Sequence, residues 1–194
     1  FVADAAVSPD SKTVAVITIG QENGSFFSQL LLYPVDSSEP SATLSLGNLA
    51  VLDLDYEAEQ LWVLGEDRLL SVAADGSDYE TYSFGRSYLK GCHLGGDGFA
   101  VLLLGRYQAG GAEQVLTIDP QCQLIAQAPL RGLSFSAAGR YLSLLTGSGL
   151  EIYTRDMSLY RALEDTQDAR FTALSPNGSA LLADSQQAWL YIPS

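Results

Sequence analysis

Side chains with the chemistry of catalysis or metal binding are few in this chain of 194 residues. The only histidine is His93, and the two cysteines are Cys92 and Cys122. Acyl transfer needs a general base beside its nucleophile, and the sequence contains no Gly-x-Ser-x-Gly elbow. Zinc needs four ligands, which one histidine and two cysteines do not supply. We therefore predict no catalytic residue, no bound metal and no cofactor.

Carboxylates are plentiful, but many of them fall in predicted turns. Asp10, Asp75, Asp97 and Asp119 occupy positions where aspartate is expected because its side chain bonds the turn backbone. No Asp-x-Asp-x-Asp-Gly loop for calcium is present. A glycoside hydrolase or lyase that acts through two carboxylates stays open as an alternative, and the separation of the two carboxyl groups would decide it.

Arginines and tyrosines form the one grouping whose chemistry suggests a ligand. Arginine binds carboxylate or phosphate through two parallel hydrogen bonds, and aromatic rings stack on sugars. The competing interpretation is that each arginine pairs with an acid of the adjacent repeat or is solvated at a loop tip. The candidate ligand-binding residues are Arg86, Tyr88, Arg106, Tyr107, Arg131 and Arg170, with Phe26 and Phe27 on the same predicted face.

These residues must be positioned by a repeated element. The turn 174–178 (Leu-Ser-Pro-Asn-Gly) has a clear copy at 7–11, and the copies are spaced by about 40 residues. Apolar strands enter and leave each turn, and proline with Asp, Asn or Gly supplies the reversal. Weaker copies lie at 54–58, 94–98 and 135–139.

The repeat predicts an all-β, β-propeller-like fold of about five blades of antiparallel strands in a single domain. Innermost strands are expected near residues 2–7, 50–54, 91–94, 133–136 and 170–174, and the approximate blades are 1–48, 49–88, 89–132, 133–169 and 170–194. Since the last blade has only three predicted strands, we also consider that the chain is a fragment of a larger propeller. Strands alternate in direction, so the loops that carry the arginines share one face.

Four local expectations follow. Residues 20–25 are predicted to form a polar loop before a third strand over 29–33, and 159–165 is a weak helical candidate beside a strand over 159–163. Cys92 and Cys122 are expected to be reduced and apart. The sequences that start at Asn23 and Asn177 match a glycosylation site, but we favour their interpretation as turns.

The net charge of −13, from 23 acidic and 10 basic residues, would repel a phosphate backbone. Nucleic acid is therefore not an expected partner. No run of apolar residues approaches the 18 or more needed to span a bilayer.

The segment 2–40 resembles a bacterial family of membrane-anchored, propeller-like proteins of unknown function, because of Asp4-Ala5-Ala6-Val7-Ser8-Pro9-Asp10 and the close at Tyr33-Pro34-Val35-Asp36. The Ser-Pro-Asp/Asn turns are also similar to those of WD40-like and TolB-like repeats. The resemblance implies a longer parent protein with one transmembrane helix before the propeller, which faces outward from the cell.

We accordingly expect a non-catalytic, extracytoplasmic binding or scaffold module that contacts protein or a cell-surface polymer. The predicted last strand, 188–192, has no strand to pair with on its outer side. An apolar strand with unpaired N–H and C=O groups is a template for association, so we expect the chain to be able to self-associate there.

Overall fold

The structure is a computed structural model that describes residues 1–57, 60–107, 111–129, 132 and 134–193. Every regular element in these ranges is a β-strand, and the strands form five antiparallel sheets. Four sheets have four strands and one has three, and the strands of each sheet neighbour one another in chain order. The predicted all-β, propeller-like repeat with an incomplete last sheet is confirmed. Among these residues no helix is long and apolar enough to cross a bilayer.

The chain divides into two compact units, residues 1–85 with 120–122 and residues 86–119 with 123–194. The first unit contains sheet one, with β1 (Val2–Val7), β2 (Thr13–Glu22), β3 (Ser25–Pro34) and β4 (Ala42–Gly47). It also contains sheet two, with β5 (Val51–Glu57), β6 (Gln60–Gly65), β7 (Arg68–Val72) and β8 (Tyr79–Ser83).

The second unit contains the other three sheets. Sheet three consists of β9 (Tyr88–Gly96), β10 (Phe99–Gly105), β11 (Gln114–Ile118) and β12 (Leu124–Pro129). Sheet four consists of β13 (Ser134–Ala138), β14 (Tyr141–Thr146), β15 (Gly149–Thr154) and β16 (Leu159–Leu163). Sheet five consists of β17 (Phe171–Leu174), β18 (Ala180–Ala183) and β19 (Ala188–Tyr191).

The cores lie between successive sheets of each unit. In the first unit, one face of sheet one buries Ile17 and Leu30 against Leu61 and Val63 of sheet two. In the second unit, separate clusters of buried side chains join sheets three and four and sheets four and five. Burying apolar area at about 25 cal/mol per Å² is the main stabilising contribution in such sheet pairs.

The two best copies of the repeated turn have the same hydrogen bonds. Ser8 Oγ donates to Asp10 Oδ1 over 2.7 Å, and Asp10 Oδ1 also accepts the Lys12 N–H. Ser175 Oγ donates to Asn177 Oδ1 over 2.5 Å, and that oxygen accepts the Ser179 N–H over 2.9 Å. The amide of Asn177 is therefore part of the turn, as its interpretation as a turn residue requires.

Turns of different sheets also contact one another in the second unit. The Asp97 N–H donates to the Gly139 carbonyl over 2.6 Å, and Gly96 and Gly139 form a parallel bridge. A Cβ on Gly139 would lie 2.8 Å from the Pro176 carbonyl oxygen. The repeated turn thus joins neighbouring sheets as well as neighbouring strands.

Buried hydroxyls on third strands connect to carbonyls of later turns. Thr117 Oγ1 on β11 donates to the Arg155 carbonyl in the β15–β16 turn over 2.6 Å. Ser71 Oγ on β7 donates to the Pro120 carbonyl, also over 2.6 Å. Both hydroxyls are buried, and each satisfies a carbonyl outside its own sheet.

The first hairpin differs from the prediction. Residues 20–25 do not form a loop, because β2 and β3 are ten residues each and pair as far as Glu22 and Ser25. Asn23 and Gly24 alone make the turn, with φ of 52° and 81°. An Asn-Gly pair adopts the left-handed backbone that a two-residue hairpin needs, so the predicted third strand was too short.

The three weaker turn copies were also placed wrongly, and the first four residues of the copy at 135–139 lie inside β13, where they pair with β14. Leu54–Glu57 lie inside β5, where Leu54 pairs with Val63 and Glu57 with Gln60, and Ala58 lies outside the described residues. β9 runs on through Gly96, so only Asp97 and Gly98 turn.

Residues 159–163 are a strand rather than a helix. Leu133 lies outside the described residues. Cys92 and Cys122 are not joined by a disulfide, as predicted.

Candidate functional site

Two exposed tyrosines meet at one end of the β9–β10 hairpin. Tyr88 opens β9 and pairs with Gly105 at the end of β10, which brings Tyr107 beside it. The ring centroids are 4.8 Å apart, with the planes tilted by 43°. Tyr88 is 46% exposed and Tyr107 67% exposed. The pair presents aromatic surface to solvent instead of contributing it to a core.

An ion pair lies directly beside these rings in the chain. Arg106 Nε is 3.1 Å from Glu113 Oε1 and 3.2 Å from Oε2. The Glu113 N–H donates to the Leu104 carbonyl, which fixes the segment that carries the carboxylate. The guanidinium is therefore held by an acid of its own loop, and its side chain remains 79% exposed. We call Tyr88, Arg106 and Tyr107 the tyrosine patch.

Of the other predicted arginines, the two that the structure describes, Arg86 and Arg170, form no ion pair or ring contact with this patch. Arg86 is exposed in the turn before β9, and it forms no ion pair with any described residue. Arg131 lies outside the described residues. Arg170 immediately precedes β17 and lines a different cleft. The structure thus brings together three of the five predicted residues that it describes.

The cleft at Arg170 has a volume of about 610 Å³. Phe171, 63% exposed, and Asp168 line it with Arg170, and the end of β14 supplies Thr146. The pKa of the Asp184 carboxyl is lowered mainly by hydrogen bonds from the backbone N–H groups of Gln186 and Gln187. The positive charge of Arg170 lowers it further. Sequence analysis missed Phe171, although it directly follows a predicted arginine.

A second arginine–tyrosine cluster was also missed. Arg140 lies over the Tyr141 ring, Tyr141 stacks on Tyr160 at 4.7 Å, and Arg161 lies over Tyr160. Arg140 Nη2 donates to the Tyr141 hydroxyl over 2.8 Å, and this bond lowers the pKa of Tyr141. Tyr141 itself is buried, so its ring belongs to the core between sheets four and five. In the sequence, this cluster could have been found from two adjacent pairs, Arg140-Tyr141 and Tyr160-Arg161.

The acidic turn residues have structural roles. Hydrogen bonds from neighbouring hydroxyl and backbone N–H groups lower the pKa of Asp10, Asp75 and Asp156. Among the described residues no Asp or Glu side chain is buried, and no three metal-ligating side chains cluster. Phe26, 39% exposed, and Phe27, whose ring lies over Gly20, belong to the first unit.

Comparison with known proteins supports the fold alone. No family model matches the chain, and no curated protein sequence matches it. Solved structures that are similar include the WD40 repeats of RRP9 (TM-score 0.53, 13% identity, 94% of this chain and 72% of that one). The N-terminal domain of Nup159 is also similar, with a TM-score of 0.57 and 13% identity over 95% of this chain and 53% of that one. A eukaryotic initiation factor is similar with a TM-score of 0.58 and 16% identity over 95% of this chain and 49% of that one. The chain spans about half the length of the latter two.

Proposed function

We propose that this chain is a non-catalytic binding or scaffold module that contacts a cell-surface polymer or a protein through the tyrosine patch. Propeller-like sheets are rigid supports on which surface loops carry the binding residues. Since one fold serves many functions, the proposal depends on the patch itself and not on the similar structures.

The observation that carries the proposal is the exposed pair Tyr88 and Tyr107. Two aromatic rings at 4.8 Å, one 46% and the other 67% exposed, form an apolar surface that a solvated loop has no structural need for. Arg106 adds a positively charged group beside it, and its bond to Glu113 uses the Nε side of a guanidinium that has five N–H donors. Stacking of sugar rings with an anionic substituent near Arg106 fits this arrangement.

The module is further proposed to work outside a bacterial cell, as the outer part of a membrane-anchored protein. The support is the resemblance of residues 2–40 to that family. Fractionation of cells that express the full gene, with protease added outside, tests it. We expect this segment in the membrane fraction and accessible to protease, and a protected cytosolic protein would contradict the location.

Co-sedimentation with purified bacterial cell-wall sacculi tests the binding proposal. We expect Tyr107→Ala and Tyr88→Ala each to weaken binding by about tenfold, which corresponds to about 1.4 kcal/mol. Tyr79→Ala is the matched control, because Tyr79 is also exposed (38%) but lies on β8, in the first unit. Unchanged binding by both patch variants, or an equal loss in the control, would show that the patch is not the binding surface.

A propeller-type glycoside hydrolase or lyase is the alternative function. It requires two convergent buried carboxylates, and none of the described Asp or Glu side chains is buried. No contact in the described residues therefore favours this alternative.

A further inference from the structure

A half-buried carboxylate interrupts the apolar face that sheet four turns toward sheet three. Glu151 lies on β15, and its ladder partner on β14 is Leu144, a core residue between these sheets. Tyr153, two residues further along β15, packs against the same core. A carboxylate at such a place has lost part of its hydration, so a polar or charged partner is favourable there.

Among the described residues, the Glu151 carboxylate accepts a hydrogen bond from one side chain, a tyrosine hydroxyl. Tyr153 Oη donates to Glu151 Oε2 over 2.7 Å, and no described lysine or arginine forms an ion pair with Glu151. Burial and the carboxylate together raise the pKa of Tyr153 to about 12, so the hydroxyl stays a donor at neutral pH. Oε2 accepts this bond, and no donor among the described residues bonds Oε1.

Glu151 lines a groove of about 380 Å³ between β12 and sheet four. This volume falls in the range of small-ligand sites. Pro129 lies on one side, and Leu144 and Met157 supply apolar surface on the other. Ser148 adds a hydroxyl at the β14–β15 turn. The groove therefore combines apolar walls with one negative charge.

These features select the chemistry of the ligand. Lysine covers apolar surface with its aliphatic stem and ends in a compact charge. A guanidinium binds best when both carboxylate oxygens accept in parallel, whereas an ammonium needs only one. Because Tyr153 already donates to Oε2, a guanidinium would have to share that oxygen with the tyrosine, whereas an ammonium can use Oε1 alone, so the groove favours lysine over arginine. The net charge of −13 would also attract a basic partner over long range.

We propose that this groove binds a lysine side chain of a peptide or protein partner, with the stem against Leu144 and Met157 and the ammonium on Glu151 Oε1. The site shares no residue with the tyrosine patch. It does not depend on the function proposed for that patch.

Titration of the full chain with a capped Gly-Lys-Gly tripeptide, followed by backbone amide NMR, tests the inference. We expect saturable shifts at Ser148, Glu151 and Tyr153, and binding at least about tenfold weaker for the norleucine analogue, which lacks only the charge. The arginine analogue is expected to bind more weakly than the lysine peptide. High salt should reduce the affinity.

Two variants make the test specific to the carboxylate. Glu151→Gln keeps the size of the side chain, so we expect a native amide spectrum and binding reduced by about tenfold. Glu164→Gln removes an exposed charge after β16 and should leave binding unchanged. Equal binding of the lysine and norleucine peptides, unchanged binding by Glu151→Gln, or shifts confined to other residues would each overturn the proposal.

Discussion

Two tyrosines of sheet four have opposite electrostatic surroundings. Arg140 donates a hydrogen bond to the Tyr141 hydroxyl, which stabilises the phenolate and lowers its pKa. Burial and the neighbouring Glu151 disfavour the phenolate of Tyr153 and raise its pKa to about 12. The fold thus separates two chemically identical groups on adjacent strands.

Alkaline titration should resolve this difference. With tyrosine labelled at Cζ and followed by NMR, we expect Tyr141 to titrate below the usual value near 10 and Tyr153 near 12. Glu151→Gln should lower the pKa of Tyr153, because the repelling charge is removed. The contribution of Tyr153 to stability is present below about pH 10 and is lost as the pH rises through its folded pKa.

Phenylalanine variants at positions 141 and 153 assign the two signals and serve as controls. If Tyr153 titrated near the usual tyrosine value of about 10, the bond to Glu151 would not exist in solution. Both oxygens of Glu151 would then be open to a ligand, and the groove would no longer favour lysine over arginine.

For single residues, the sequence predicted which side chains could bind a ligand better than it predicted which side chains they contact. Tyr88 and Tyr107 were selected because aromatic rings in loops are available for stacking, but their contact depends on the register of β9 and β10, in which Tyr88 pairs with Gly105. Many acids were possible partners for Arg106, and only the path of the loop identifies Glu113. Glu151 gave no signal, because a carboxylate in an alternating strand normally faces water.

The repeated turn shows how local rules and long-range packing combine in one element. Gly139 has a φ of 55°, which glycine adopts without the cost that a Cβ imposes. The same absence of a Cβ lets the Pro176 carbonyl oxygen approach. The left-handed glycine is part of the pattern by which the turn is recognised, whereas the approach of Pro176 lies outside it.

We expect Gly139→Ala to lower the free energy of unfolding by about 2 kcal/mol, because a left-handed alanine is strained and its Cβ would collide with the Pro176 backbone. For a chain of this size the melting temperature should fall by roughly 4–8 °C in calorimetry. Gly147→Ala is the control, since nothing lies within 4 Å of a Cβ there and its φ is not left-handed. Similar melting temperatures for the two variants would refute this account of the turn.

Elements were predictable where local signals agreed. The turns at Ser8 and Ser175 follow from side chains that bond the nearby backbone, and the strands beside them from runs of apolar residues. Leu54–Glu57 misled the prediction because aspartate is common in turns, whereas here the backbone of Asp55 pairs with β6. The bond between Thr117 and Arg155 joins residues too far apart in the chain for any local pattern to show it.

For the molecule as a whole, the three-stranded sheet is the exception among five. β19 pairs with β18 on one side, and no described strand pairs with its other side. The face of this sheet that points away from the core carries Leu181 and Leu190, which are 45% and 59% exposed. Unpaired backbone groups next to an apolar face favour the addition of a further strand.

We therefore expect copies of this chain to associate through β19. In sedimentation equilibrium over a wide range of protein concentration, the average mass should rise above that of one chain. Leu190→Lys should suppress this rise, because a charge on an edge strand opposes pairing. Leu159→Lys is the matched control: Leu159 is similarly exposed (58%) and lies on β16, an outer strand of a complete four-stranded sheet. A wild-type chain that remains monomeric throughout, or a control that dissociates as much as Leu190→Lys, would rule out β19 as the site of association.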